Sequence, residues 1–134
     1  PIYPIKGYSV TLETHHDAQA PQVSVTDLGR KMVLAPLEGR LRAAAMAEVT
    51  GHDLTIHEER IEEMLDSVDA IYPGLCARQP ARAWAGLRPA TPTSVPIVRR
   101  SKVPNVLLNV GHGALGFTLA AGCARRVREM LAPP

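Results

Sequence analysis

Apolar and polar positions fall into short alternating runs over the first half of the chain, one helical stripe in the middle, and an apolar run, a glycine cluster and a second helical run at the end. Ile5 to Leu12 reads as a strand, with Ile5, Tyr8, Val10 and Leu12 as strand formers and Gly7 as an interruption. Three further β-like runs follow, Gln22 to Thr26, Lys31 to Pro36 and Arg40 to Val49. Asp27-Leu28-Gly29-Arg30 and Leu37-Glu38-Gly39 carry turn chemistry between them, so the pattern predicts an antiparallel meander. The third run alternates only at its start, and Ala43-Ala44-Ala45-Met46-Ala47-Glu48 is equally good helix material. If it is a strand, its small residues provide a face for close packing.

The spacing predicts a helix over Ile56 to Tyr72, because Ile61, Met64, Leu65, Val68 and Ile71 form one apolar stripe. Thr55 with Glu58 fits a capping box, and Pro73-Gly74 ends the run. Leu75 to Ala83 is expected to be a loop, Val95 to Val98 a short strand, Arg99 to Pro104 a basic turn, and Asn105 to Val110 a strand. A last helix over Leu115 to Leu131 is rich in small residues that suit tight packing.

Between that last strand and helix lies Asn109-Val110-Gly111-His112-Gly113-Ala114-Leu115-Gly116-Phe117-Thr118. A glycine loop that opens a helix brings bare backbone near a ligand and presents unpaired N–H groups and the positive dipole end. The same residues also serve as a tight connection, and spacing alone does not separate the two. Lys6-Gly7 reads first as a bulge and otherwise as a close backbone approach to a bound group. Arg88, set between apolar residues and Pro89, is either a surface charge or an anion anchor. His15-His16-Asp17 reads as a solvated loop, since adjacent histidines on a strand point opposite ways.

The 134 residues suit one domain, with 46% apolar and 21% charged residues and a net charge of +2. Aromatics are 4% and no basic stripe interleaves with them, which argues against nucleic-acid binding. Cys76 and Cys123 have neither metal-ligand spacing nor a disulfide framework and fit a reducing compartment. No apolar run reaches the length of a membrane span. No paired-carboxylate, serine-elbow, Walker or metal pattern is present. The first residue is Pro1 and the opening resembles the middle of a domain, so a fragment, a processed product or one piece of an assembly is expected.

Four co-linear stretches then carry a resemblance. They are Tyr3-Pro4-Ile5-Lys6-Gly7-Tyr8-Ser9, Arg40-Leu41-Arg42 with Met46-Ala47-Glu48, Trp84-Ala85-Gly86-Leu87-Arg88-Pro89-Ala90-Thr91-Pro92, and Leu108 to Thr118. Together the chain resembles the C-terminal part of the FAD-dependent D-amino-acid oxidase superfamily, on its bacterial D-amino-acid dehydrogenase side. The resemblance implies an α+β fold: an antiparallel substrate-domain-like sheet with a flanking helix over residues 1–104, and a strand–helix over 105–134 that completes an FAD domain. It implies oxidation of an amine to an imine, with the α-hydride passing to the flavin and water releasing a 2-oxo acid and ammonia. No side chain is then needed as a catalyst, and the protein orients and polarises.

By the same resemblance Arg88 binds the substrate carboxylate and the Ala114 carbonyl accepts from the substrate amine. Tyr8 either lines the pocket or packs on the sheet. Lys6, Gly7, Gly111, His112, Gly113, Gly116, Phe117 and Thr118 lie along the FAD, and no metal is involved. The family's Gly-x-Gly-x-x-Gly fingerprint is absent from this sequence, so the isolated chain is expected to be inactive and to need an N-terminal FAD-binding half or a partner chain. Exposed apolar surface would also favour self-association. A cytoplasmic location is implied, with association at the inner membrane face open to the complete enzyme. Ala44, Ala45, Thr93, Ser94, Val98 and Arg99 depart from the family pattern, in several places adding bulk where it uses glycine. They keep two alternatives open, a flavin-free binding or interaction module and a sibling amine oxidase for glycine, sarcosine or hydroxyproline-like substrates.

Overall fold

A computed structural model describes residues 1–15, 20–79 and 81–132; His16 and Asp17 of the histidine pair and its neighbour lie outside them. The elements run β1 (Tyr3–Glu13), β2 (Val25–Asp27), β3 (Met32–Leu37), β4 (Arg40–Glu48), α1 (Glu58–Ile71), β5 (Arg82–Ala90), β6 (Ile97–Arg100), β7 (Leu107–Val110), a 3-10 turn (Gly113–Leu115) and α2 (Gly116–Leu131). Five strands form one sheet in the order β2-β3-β4-β1-β5, and β6 and β7 form a second. The fold is α+β, as the sequence implies. The chain falls into two compact units, one of residues 6–48 and 52–86, the other of residues 1–5, 49–51 and 87–134.

In the first unit the meander is antiparallel throughout, β2 on β3, β3 on β4 and β4 on β1. The Arg40 run is a strand and not a helix, because Leu41, Ala43 and Ala45 alternate into the core while Arg42 faces out. Met64, Leu65 and Val68 of α1 are buried with Tyr8, Val10, Leu12, Leu34 and Leu41. Each such apolar side chain stabilises the unit by roughly 1.5–3 kcal/mol. On the outer side of the helix Arg78 reaches Glu62, Asp66 and Asp69 at 2.7–2.8 Å, which ties the following loop to α1.

Several expectations are corrected here. The helix starts at Glu58 with His57 at its N-cap and no side-chain cap, so the Thr55–Glu58 capping box does not form. Thr55 donates its hydroxyl to Asp53 Oδ1 at 2.6 Å instead, since a preceding aspartate offers a stronger acceptor than a backbone group. Arg82 to Ala90, read partly as loop and otherwise left unassigned, is a full strand. The Val95–Val98 strand lies two residues later, at Ile97–Arg100.

In the second unit β6 pairs antiparallel with β7 and α2 packs against this hairpin through Cys123, the one buried residue of the helix among those described. Arg100 donates to the Met130 carbonyl, closing the carboxyl end of α2. The segment 105–134 lies wholly within this unit.

Candidate functional site

The glycine loop takes shape from backbone angles that side chains resist. Gly111 has φ +80° and Gly113 φ +54°, flanking His112 in the right-handed helical region at φ −74°, ψ −9°. A right-handed residue followed by a left-handed one turns successive N–H groups toward a common concavity. Leu115 N–H returns to His112 O at 3.0 Å, so the 3-10 turn is closed and α2 follows directly. Neither the turn nor α2 has a side-chain cap, and neither first turn holds an acid. Such an amino end suits an electron-rich group.

Behind the loop sits the end of the Trp84–Pro92 stretch. Ala90 bridges to His112, and Thr91 is buried against Gly111. A β-carbon on Gly111 would stand 2.5 Å from Thr91 Cγ2. Thr91 is itself fixed, its hydroxyl donating to Val95 O at 2.9 Å. Gly116 is different: it has an ordinary helical φ of −55°, and a β-carbon there would meet His112 Cβ at 3.6 Å, a normal contact. Ala114 and Thr118 are exposed, and Phe117 is 98% exposed. Arg88, half-buried, stands in the part of β5 that belongs to this unit.

Lys6, Gly7 and Tyr8 lie in the other unit, all three buried. The irregularity expected at Lys6-Gly7 is real, but the extra residue is on β4. Lys6 pairs with Glu48 and Tyr8 with Ala45, so Met46 and Ala47 stand opposite the one residue Gly7, with Met46 at φ +68°. Lys6 does not point into open space. Its ammonium donates to Thr55 O at 3.0 Å, lies 3.5 Å from Glu48 Oε2 and 3.5 Å from Asp53 Oδ2, and sits 5.2 Å from the centroid of the Tyr8 ring. The Tyr8 hydroxyl donates to Glu48 Oε2 at 3.1 Å, and Arg60 Nε meets Glu48 Oε1 at 2.9 Å. Two carboxylates and two cations thus neutralise one another at the entry to α1. The sequence reading overlooked this network, although Asp53-Leu54-Thr55 carried the signal of an Asx turn.

The Thr55 hydroxyl and then its backbone N–H hold the Asp53 carboxyl down at about 2, with a further contribution from Lys6. Burial works to raise Glu48, but the Tyr8 hydroxyl, Lys6 and Arg60 together keep it below the ordinary carboxylate range. For a carboxyl depressed in the folded state, the stability it contributes is present above its unfolded pKa and fades as pH falls through the folded one. The Asp53 contribution is therefore complete above pH 4 and lost between about 4 and 2. Acid unfolding of Asp53→Asn, followed by circular dichroism, is expected to show a shallower loss over that window than the parent chain. An identical slope would mean that Asp53 has no such role.

Among the described residues no cluster of His, Cys, Asp and Glu could hold a metal, and no helix is long and apolar enough to cross a membrane. Cys76 and Cys123 are free and buried, and burial, with Asp69 nearby, pushes the Cys76 thiol up to about 11.

The glycine loop, the uncapped start of α2 and Arg88 all lie in one unit of the fold. Residues 1–130 match the FAD dependent oxidoreductase family (DAO), and the chain belongs to that family. It is 42% identical over 131 residues to a D-amino acid dehydrogenase of Dechloromonas aromatica and 44% identical to D-amino acid dehydrogenase 2 of Pseudomonas aeruginosa. Both alignments cover 98% of this chain but only 31% and 32% of those proteins, so the chain spans about a third of the length of the curated relatives it matches. Among solved structures it resembles iminodiacetate oxidase from Chelativorans, with a TM-score of 0.83 and 23% identity over 99% of this chain and 37% of that one. It also resembles L-proline dehydrogenase from P. horikoshii, with a TM-score of 0.81 and 23% identity over 98% and 36%.

Proposed function

We propose that this chain is the substrate-binding portion of an FAD-dependent D-amino-acid dehydrogenase, converting D-amino acids to 2-oxo acids and ammonia. The observation that carries the reading is the 42–44% identity to D-amino acid dehydrogenases across 98% of the chain. FAD, when bound, supplies the two-electron acceptor. The residues present fit it: the Gly111–Gly113 backbone offers N–H groups, no acid opposes them in the first turn, and Phe117 and Thr118 stand exposed beside them. Arg88 fixes the substrate by a bidentate carboxylate contact, and the Ala114 carbonyl accepts a hydrogen bond from the substrate amine.

The bases of the second unit support a membrane-associated form of this reading. Residues 87–134 contain Arg88, Arg99, Arg100, Lys102, Arg125, Arg126 and Arg128 against the single acid Glu129. Exposed Val103 and Val106 lie in the same hairpin as Arg99 and Lys102. A basic surface with apolar side chains at its tip supports attachment to an anionic membrane face.

The test is a hybrid in which this chain replaces the matching stretch of the Pseudomonas aeruginosa enzyme. The hybrid is expected to purify with bound FAD, to reduce an artificial electron acceptor with D-alanine, and to sediment with anionic but not neutral vesicles. The separate chain is expected to be colourless. A folded hybrid without FAD would favour a flavin-free binding module. One that holds FAD and oxidises glycine or sarcosine but no chiral D-amino acid would favour a sibling amine oxidase.

A further inference from the structure

β7 is paired on one side only: among the described residues β6 is its single neighbour in the second sheet. The hairpin's hydrogen bonds decide which backbone groups this leaves open. Ser101 N–H donates to Val106 O at 2.9 Å, in the same register that sets Arg99 opposite Leu108 and Ile97 opposite Val110. Hydrogen-bonded and non-hydrogen-bonded pairs alternate between antiparallel strands, so Val106, Leu108 and Val110 turn their N–H and C=O groups to β6. Leu107 and Asn109 turn theirs to the other side, where no described strand receives them.

Every other sheet edge among the described residues carries a device against strand addition. β2 is three residues long and ends on Asp27, β5 holds Arg82, Arg88 and Pro89, and β6 holds Arg99 and Arg100. β7 is Leu107-Leu108-Asn109-Val110, with no charge, no proline and no bulge in its pairing. An edge of this kind readily accepts a further strand.

We propose that β7 pairs antiparallel with β7 of a second copy of this chain, about a two-fold axis at Leu108. Leu107 then stands opposite Asn109 of the other copy, and Asn109 opposite Leu107. Each copy brings two open N–H and two open C=O groups, so the seam closes four hydrogen bonds and leaves none of these groups over. Leu108 meets its own counterpart in the close, non-hydrogen-bonded position, and Val106, 43% exposed in the single chain, meets Val110. Opposed residues share a face, so Val106, Leu108 and Val110 of both copies join Ile97 in one apolar row. Arg99 and Arg100 lie on β6, three strand spacings or about 14 Å from their counterparts, beyond the roughly 8 Å screening length at physiological salt. This edge belongs to the chain itself, whatever reaction the longer enzyme performs.

Sedimentation of the purified chain is expected to give a dimer, and amide hydrogen exchange to locate its seam. The Leu108 and Val110 amides should exchange slowly at every concentration, because β6 holds them. Those of Leu107 and Asn109 should be slow in the dimer and at least about tenfold faster once dilution gives the monomer. Asn109→Pro deletes an N–H that the monomer does not use and removes two of the four bonds of the seam. It is expected to abolish the dimer and leave the circular dichroism unchanged, since an outward-facing edge position tolerates proline. Val103→Lys, at the exposed tip of the same hairpin, is the control and should leave the dimer intact. A chain that stays monomeric overturns the proposal, as does a dimer that survives Asn109→Pro or leaves Leu107 and Asn109 in fast exchange. So does protection of these two amides only in the hybrid with the Pseudomonas aeruginosa enzyme, which would assign the edge to a strand of the longer protein. Should Asn109→Pro fail to fold, the exchange pattern of the unaltered chain decides by itself.

Discussion

Replacing Arg88 by alanine in the flavin-loaded hybrid is expected to lower kcat/KM for D-alanine about a thousandfold, with most of the loss in KM. A guanidinium that is half-buried has given up part of its hydration, and a bidentate carboxylate replaces those contacts in two parallel hydrogen bonds. Removing one member of such a desolvated charge pair costs roughly 2–5 kcal/mol, because the other is left without its partner, and three decades lie within that range. Arg88→Lys separates charge from shape. An ammonium keeps the charge but not the fork, so it is expected to recover about one decade and to leave orientation poor. Flavin absorbance of both variants should match the parent. A KM that stays within twofold of the parent would show that Arg88 does not hold the carboxylate, whatever the family resemblance implies.

The sequence was most legible where one periodicity had no rival. The stripe Ile61, Met64, Leu65, Val68 and Ile71 predicts α1, and its central residues are the buried ones. The meander was legible from its turns, and β4 became certain only through packing, since local propensity favoured a helix at Ala43–Glu48 and the sheet overrode it. The stretch 82–90 defeated pattern reading for a physical reason. As an outer strand carrying Trp84, Gly86 and Pro89, it shows no clean alternation of apolar and polar residues, and its glycine is explained by a side chain two positions away. The candidate site was half legible. The glycine loop announced its backbone angles through composition, whereas nothing in Lys6-Gly7 revealed that the ammonium would be occupied by Glu48 and Asp53, because those partners arrive from 42 and 47 positions further along the chain.

Gly111 is where the loop's geometry and the fold's stability meet, and Gly111→Ala is expected to destabilise the purified chain by about 3 kcal/mol. Two costs add. The first is the left-handed backbone: at φ +80° an L-residue with a β-carbon pays roughly 1–2 kcal/mol relative to glycine. The second is steric. The new methyl would lie 2.5 Å from Thr91 Cγ2, and Thr91 cannot simply rotate, because it is buried and its hydroxyl is bonded to Val95 O. Overfilling a packed site of this kind costs roughly 1–3 kcal/mol. Gly116→Ala is the matched control, since that glycine is already helical and its β-carbon would make an ordinary contact with His112. It is expected to be neutral or stabilising by up to about 0.5 kcal/mol, because alanine loses less backbone entropy on entering a helix. Urea unfolding of the three proteins side by side gives the comparison, provided their m-values agree. Equal stabilities for Gly111→Ala and the parent would mean that the loop relaxes around Thr91. A loop able to relax in that way would not keep its N–H groups aimed at one place, so the same measurement bears on whether this segment is preorganised to receive a flavin.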